Sequence, residues 1–225
     1  MTNLEQELKE VKDSVLEMLK LVLNQMEKAG DAFIQFDDGL AEEVIHSEKR
    51  VNAMELTIDK HCENVFALFN PVASDLRFVI SMLKMNSDIE RIGDYADGIA
   101  DYVIDLEEPI DSNYLEKSRI SEMFDIAYNM LDMVIISIES DNTELPRQVF
   151  KKDRELNKIN RASSDLIEKM VKEDHKNTSS ALYLFSSIKK VERIGDHIKN
   201  IAEDWIFYLD GEVLKHRKKL PKKKG

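Results

Sequence analysis

Four acidic residues, Glu90, Asp94, Asp97 and Asp101, are spaced i, i+4, i+7 and i+11. At about 100° per residue, that spacing places all four carboxylates within an arc of about 60° on one helix. Glu48, Asn52, Glu55 and Asp59 repeat the spacing earlier in the chain and fall on an equally narrow arc. If the two faces meet, four carboxylates face three. Like charges held that close repel, which raises their pKa values and costs stability unless a cation neutralises them. Oxygen-only donors on rigid helices suit hard or borderline cations. The pattern therefore predicts a site for divalent or trivalent metal ions. An acidic stripe on a long helix is also the ordinary look of a solvated face. Val79 and Leu83, which continue the stripe backward, argue that this face is partly covered.

A second, weaker copy follows. Glu90-Arg91-Ile92-Gly93-Asp94 recurs as Glu192-Arg193-Ile194-Gly195-Asp196, and Ser47-Glu48-Lys49-Arg50-Val51-Asn52 aligns with Lys152-Asp153-Arg154-Glu155-Leu156-Asn157. This reads as a duplication. Glu192, Asp196 and Glu203 match Glu90, Asp94 and Asp101, and Asp153 matches Glu48. Lys199 stands in place of Asp97, while Asn160 and Ser164 replace Glu55 and Asp59. Three carboxylates are lost and one cation is gained. The second site is expected to hold metal weakly or not at all.

The elements that must carry these residues are long helices. Seven glycines and four prolines in 225 residues are too few to punctuate a many-stranded β fold. Apolar residues such as Leu4, Leu8, Val11, Val15, Leu19, Val22 and Met26 recur at helical spacing. Pauses near Asp37-Asp38-Gly39, Asn70-Pro71, Glu108-Pro109, Asp141-Asn142 and Lys176-Asn177 divide the chain into six helices, roughly 3–36, 39–68, 72–106, 112–141, 144–174 and 178–211. Asn70-Pro71 reads as the cap and first position of the third. Gly30 marks a bend or early stop in the first. The expectation is an all-α fold of two pseudo-symmetric antiparallel three-helix bundles, residues 1–107 and 108–214, followed by a basic tail at 215–225.

Charge and composition narrow the function. The chain carries 44 acids and 32 bases, a net charge of −12. The first unit holds 23 acids against 10 bases, and the second 21 against 15. The tail holds seven bases and no acid. An acidic body argues against nucleic-acid binding, which needs a basic face to displace counterions. The tail suits weak contact with anionic lipid or an acidic partner, and equally a solubilising role. One cysteine, Cys62, excludes an intrachain disulfide and two-Cys zinc sites. With no apolar leader and no membrane-spanning run, the expected compartment is the cytoplasm. No phosphate loop, catalytic triad or activated cysteine is present, so no enzyme is expected. A di-iron carboxylate enzyme needs two Glu-x-x-His motifs. This chain has one, Glu43-Val44-Ile45-His46, pointing about 160–220° away from the stripe.

At Val51-Asn52-Ala53-Met54-Glu55-Leu56-Thr57-Ile58-Asp59, at Ala73-Ser74-Asp75-Leu76-Arg77 and at both copies of the Glu-Arg-Ile-Gly-Asp motif, the chain resembles the PhoU family, accessory regulators of bacterial phosphate-specific transport. The likeness covers nearly its whole length. It implies acid-x-x-x-Asp motifs able to hold multinuclear iron or zinc clusters. Glu55 and Asp59 match one motif, Glu90, Asp94 and Asp97 another, and Glu192, Asp196, Asn200 and Glu203 the second unit's. It also implies a cytoplasmic, dimeric adaptor between the phosphate ABC transporter's ATPase subunit and the phosphate sensor histidine kinase, repressing phosphate-starvation genes. Relatives tied to other transporters imply an alternative, a helical scaffold without a functional metal cluster.

Single residues carry smaller expectations. Arg91 and Arg193 read as ion-pair partners of neighbouring acids, and Asp75 with Arg77 as a structural pair. Gly93 and Gly195 read as close helix contacts. His197 stands beside Asp196 but reads as an ordinary surface histidine. Trp205, Phe207 and Tyr208 read as packing residues.

Overall fold

A computed structural model of the chain describes residues 2–173, 175–211, 213 and 214. The basic tail lies outside them. Seven α-helices account for most of the described chain: α1 (Asn3–Gln35), α2 (Asp38–Phe69), α3 (Ala73–Asp105), α4 (Ser112–Ser118), α5 (Ile120–Ser140), α6 (Glu144–Glu173) and α7 (Thr178–Asp210), with a 3-10 turn at His175–Asn177 before α7. No described helix is long and apolar enough to cross a membrane.

The helix starts follow from side-chain caps that satisfy first-turn N–H groups. Thr2 and Glu5 form a reciprocal capping box at α1. Asp37 accepts from the Leu40 N–H at 3.0 Å, and Asp111 from the Asn113 N–H at 2.8 Å. Asn142 accepts from the Glu144 N–H at 2.6 Å ahead of α6.

Two boundaries differ from expectation. Asn70 closes α2 in the left-handed region (φ 48°) and does not cap α3, whose cap position is Val72 without a side-chain bond. Asparagine tolerates that conformation better than most residues. The expected helix over 112–141 is also broken at Arg119, which is left-handed (φ 57°). There the Ser118 hydroxyl donates to the Leu115 carbonyl at 2.7 Å and accepts from the Ile120 N–H at 3.3 Å. The Arg119 guanidinium forks onto Glu122 at 2.7 and 2.6 Å. The kink lays α4 on α6, where the Tyr114 hydroxyl donates to Glu173.

The packing repeats in two units. Helices α1, α2 and α3 pack together, as do α5, α6 and α7. The units meet through α3 against α7 and α1 against α5, so four helices form the middle of the molecule, with α2 and α6 on its flanks. One continuous core runs through both, from Val15, Met18 and Val22 of α1 through Met82, Met85 and Ile89 of α3 to Met130, Val134, Ile188 and Val191. Burial of this apolar face, at about 25 cal/mol per Å², holds the long helices in place. Gly30 does not stop α1, which runs on to Gln35. A Cβ there would lie 3.0 Å from the Phe124 ring, so this glycine lets α1 and α5 close on each other.

Candidate functional site

Helices α2 and α3 bring the first carboxylate stripe to their shared flank. Glu48 is only 8% exposed. Its Oε2 accepts from Gln25 Nε2 of α1 at 2.8 Å, while its Oε1 is buried with no partner. Gly93 makes room for it, because a Cβ there would stand 3.0 Å from Glu48 Oε2 and 3.2 Å from Val51 Cγ1. The repeated glycine is thus a close helix contact, as expected. Further along, Asn86 of α3 donates to the Glu55 carbonyl at 2.9 Å and to Asp59 Oδ1 at 2.8 Å. Arg91 pairs outward with Asp94 at 2.8 Å and Glu90 at 3.5 Å.

Electrostatics mark this flank as short of positive charge. Burial first, then the charges of Asp97, Asp94 and Glu90, push the Glu48 carboxyl up to about 7 against the opposing Gln25 hydrogen bond. Burial, then Asp101 and Asp94, push Asp97 up to about 6, and its Oδ1 is buried without a partner. Glu55 and Glu90 are also raised, chiefly by burial. Two uncompensated buried oxygens within an all-oxygen donor set fit a hard or borderline cation. The side chains do not converge, however. Among the described residues no three stripe carboxylates bring their oxygens within 4.8 Å of one another; the group that does is Glu7, Glu10 and His61, at the contact of α1 with α2. His61 Nε2 lies 2.7 Å from Glu7 there, an ordinary ion-pair distance.

The second flank, between α6 and α7, has the same frame and a different filling. Asp153 occupies the place of Glu48 and is equally buried, at 8%. Gly195 again permits close approach, with Leu156 Cδ1 2.4 Å from where its Cβ would stand. The ammonium of Lys199, at the position of Asp97, lies 2.7 Å from Asp196 Oδ1 and 3.3 Å from Asp153 Oδ1. Burial raises Asp153, but the Lys199 charge opposes it. Burial also works against the lysine's own charge, and its bonds to Asp196 and Asp153 outweigh that and raise it. Arg193 reaches Asp196 at 3.5 Å. Glu192 and Glu203 are half-buried on α7, and Asn160 is buried while Ser164 is exposed.

His197 and Asn200 turn elsewhere. The His197 Nδ1 lies 2.6 Å from Asp88 Oδ1, and the Asn200 amide donates to the same oxygen at 3.1 Å, so both side chains meet α3 across the seam between units. Asp75 and Arg77 form no ion pair with each other. Trp205 is fully buried and donates to the Asn142 carbonyl at 3.3 Å, while Tyr208 packs on Phe78. Two organising residues escape a reading of acids alone, Gln25 and Asn86. Asn86 sits four residues before Glu90 on the same face, and Gln25 interrupts the apolar register of α1 between Val22 and Met26.

Comparison with known proteins matches this frame. The PhoU domain family matches residues 15–103 and 120–205, one copy in each unit. A phosphate-specific transport system accessory protein PhoU homolog of Aquifex aeolicus is 35% identical over 212 residues, covering 94% of this chain and 95% of that protein. A homolog of the same description from Pseudomonas putida is 34% identical, covering 93% and 82%. The crystal structure of PhoU from Pseudomonas aeruginosa superposes with a TM-score of 0.86 at 31% identity, covering 92% of this chain and 99% of that one. Family matches over both units, relatives across nearly the full length and the shared helical frame together place this chain in the PhoU family.

Proposed function

We propose that this protein is a cytoplasmic accessory regulator of phosphate transport, with no catalytic activity of its own, that holds metal on its first unit and not on its second. The observation that carries the metal reading is the contrast between buried Glu48 and half-buried Asp97, each with a buried oxygen that has no partner, and Asp153, paired with Lys199. Glu48, Glu55, Asp59, Glu90, Asp94, Asp97 and Asp101 would hold the ion or ions. Iron or zinc suits the site, and the bound metal would supply positive charge and open coordination positions for an anion such as phosphate. The regulatory reading rests on relatives described as phosphate-specific transport accessory proteins. As a dimeric adaptor it would contact the ATPase subunit of the phosphate ABC transporter and the phosphate sensor histidine kinase, repressing starvation signalling when phosphate is plentiful.

One observation favours a second reading, a helical scaffold for a transporter without a metal cluster: the stripe's carboxylates do not gather three oxygens within 4.8 Å. Metal analysis of purified protein, with Glu55→Gln and Asp94→Asn as controls, separates the two. The metal reading expects bound iron or zinc lost in both variants. Metal-free wild type indistinguishable from them supports the scaffold. The regulatory role is tested by pull-down from cells grown in high and low phosphate. Transporter ATPase and sensor kinase are expected among the captured proteins, and the absence of both from either culture would contradict it.

A further inference from the structure

The second unit sends a lysine across the seam. Lys190 leaves α7 and places its Nζ 5.0 Å from the centroid of the Tyr102 ring and 5.8 Å from that of Tyr95, both on α3. Tyr102 in turn lies 5.2 Å from Tyr183 of α7, and Tyr95 lies 5.7 Å from His197 of α7, so both units wall the slot. The floor of the slot is Gly98. A Cβ on it would stand 2.2 Å from Lys190 Nζ and 3.1 Å from its Cε, so the ammonium rests where a side chain would otherwise be. Lys190 makes no ion pair with a described carboxylate. The residue immediately before Gly98 is Asp97, whose buried Oδ1 has no partner. On Asp97 the lysine's charge works against burial, Asp101 and Asp94.

We propose that Lys190 is the second unit's contribution to the first unit's cation site, a tethered ammonium held over Gly98 that repels an incoming divalent cation and so sets the site's affinity. This rests on the reading of the first unit as a cation site. The tyrosine faces hold the charge in place by cation–π attraction, yet they cannot neutralise it. A single positive charge about 6 Å from a divalent ion in water-like surroundings changes affinity by roughly tenfold. The effect weakens as salt screens it. Because the ammonium belongs to α7 and the glycine floor beneath it to α3, metal loading that pushes Lys190 aside also disturbs the contact between units.

The test titrates ZnCl2 into the metal-free full chain by calorimetry at about pH 8. Four variants are compared with the wild type. Lys190→Met keeps the stem and removes the charge, whereas Lys190→Arg keeps the charge. Gly98→Ala keeps the lysine and evicts its ammonium, and Glu55→Gln damages the site itself. The expected result is Zn2+ binding roughly tenfold tighter in both Lys190→Met and Gly98→Ala at low salt, with the gain shrinking at high salt and Lys190→Arg behaving as wild type. A merely structural lysine would lower thermal stability in Lys190→Met and leave the affinity alone. Wild-type binding that is lost in Glu55→Gln but unchanged in Lys190→Met and Gly98→Ala overturns this inference only. If neither wild type nor any variant binds Zn2+, the cation site and this inference fall together.

Discussion

Glu48 and Asp153 hold equivalent places in the two units, are equally buried, and meet opposite surroundings. Beside Glu48 the neighbouring helix supplies Glu90, Asp94 and Asp97; beside Asp153 it supplies Asp196 and the ammonium of Lys199. The acid-to-lysine exchange at Asp97 and Lys199, with Asn160 and Ser164 in place of Glu55 and Asp59, thus separates an acid-rich flank whose paired cation, Arg91, sits at the exposed rim from a flank with a lysine inside it. The helices, the close-approach glycines and the motif arginines are common to both. The two units therefore share a scaffold and differ in the charges set into it.

The largest predicted break in this comparison is Lys199→Met. It leaves buried Asp153 without its cation and Asp196 with only Arg193 at 3.5 Å, and removing one partner of such a group costs about 2–3 kcal/mol. Urea melts should show the loss, and added Zn2+ should not restore the stability because two carboxylates are too few for a site. An intact melt would mean that Lys199 is only a surface residue.

Next comes Glu48→Gln. In metal-free protein the folded-state pKa of Glu48 is raised from 4.5 to about 7, so over that window the folded chain keeps protons the unfolded chain has released. Stability then falls as pH rises from about 5 to 8. Asp97, raised from 3.8 to about 6, acts in the same direction. Glu48→Gln should remove much of this slope and stabilise the metal-free protein at pH 8 by about 1 kcal/mol. Thermal melts across pH check it, and a wild-type stability that climbs over this range would contradict the sign.

The smallest effect belongs to Arg91→Gln and Arg193→Gln. Both guanidiniums are exposed and their ion pairs lie at the solvent edge, so each change should shift stability by no more than ~0.5 kcal/mol. Equal, small values for the pair would confirm that the units share their rims and differ inside.

Much of this was legible in the residues. The five-residue repeat located both α3-type helices, the i, i+4, i+7, i+11 spacing located the stripe, and Lys199 was visible as the odd member of the second copy. What escaped depends on tertiary context. The break at Arg119 comes from a local serine bridge and an Arg–Glu fork inside a helical apolar pattern. Asn70 carries signals for a helix end and a helix start alike, and only the chain's direction after Pro71 decides between them. Gln25, Asn86 and Lys190 act across helix contacts that no spacing within one segment encodes. Nor does spacing dictate rotamers, so it aligns seven carboxylates on a flank without drawing three oxygens together.

The most direct test of the asymmetry is metal content per chain after loading with iron or zinc, measured for wild type, Asp97→Asn and Asp196→Asn. The account predicts metal in the wild type, its loss in Asp97→Asn and an unchanged content in Asp196→Asn. Metal retained in Asp97→Asn, or lost in Asp196→Asn, would contradict it.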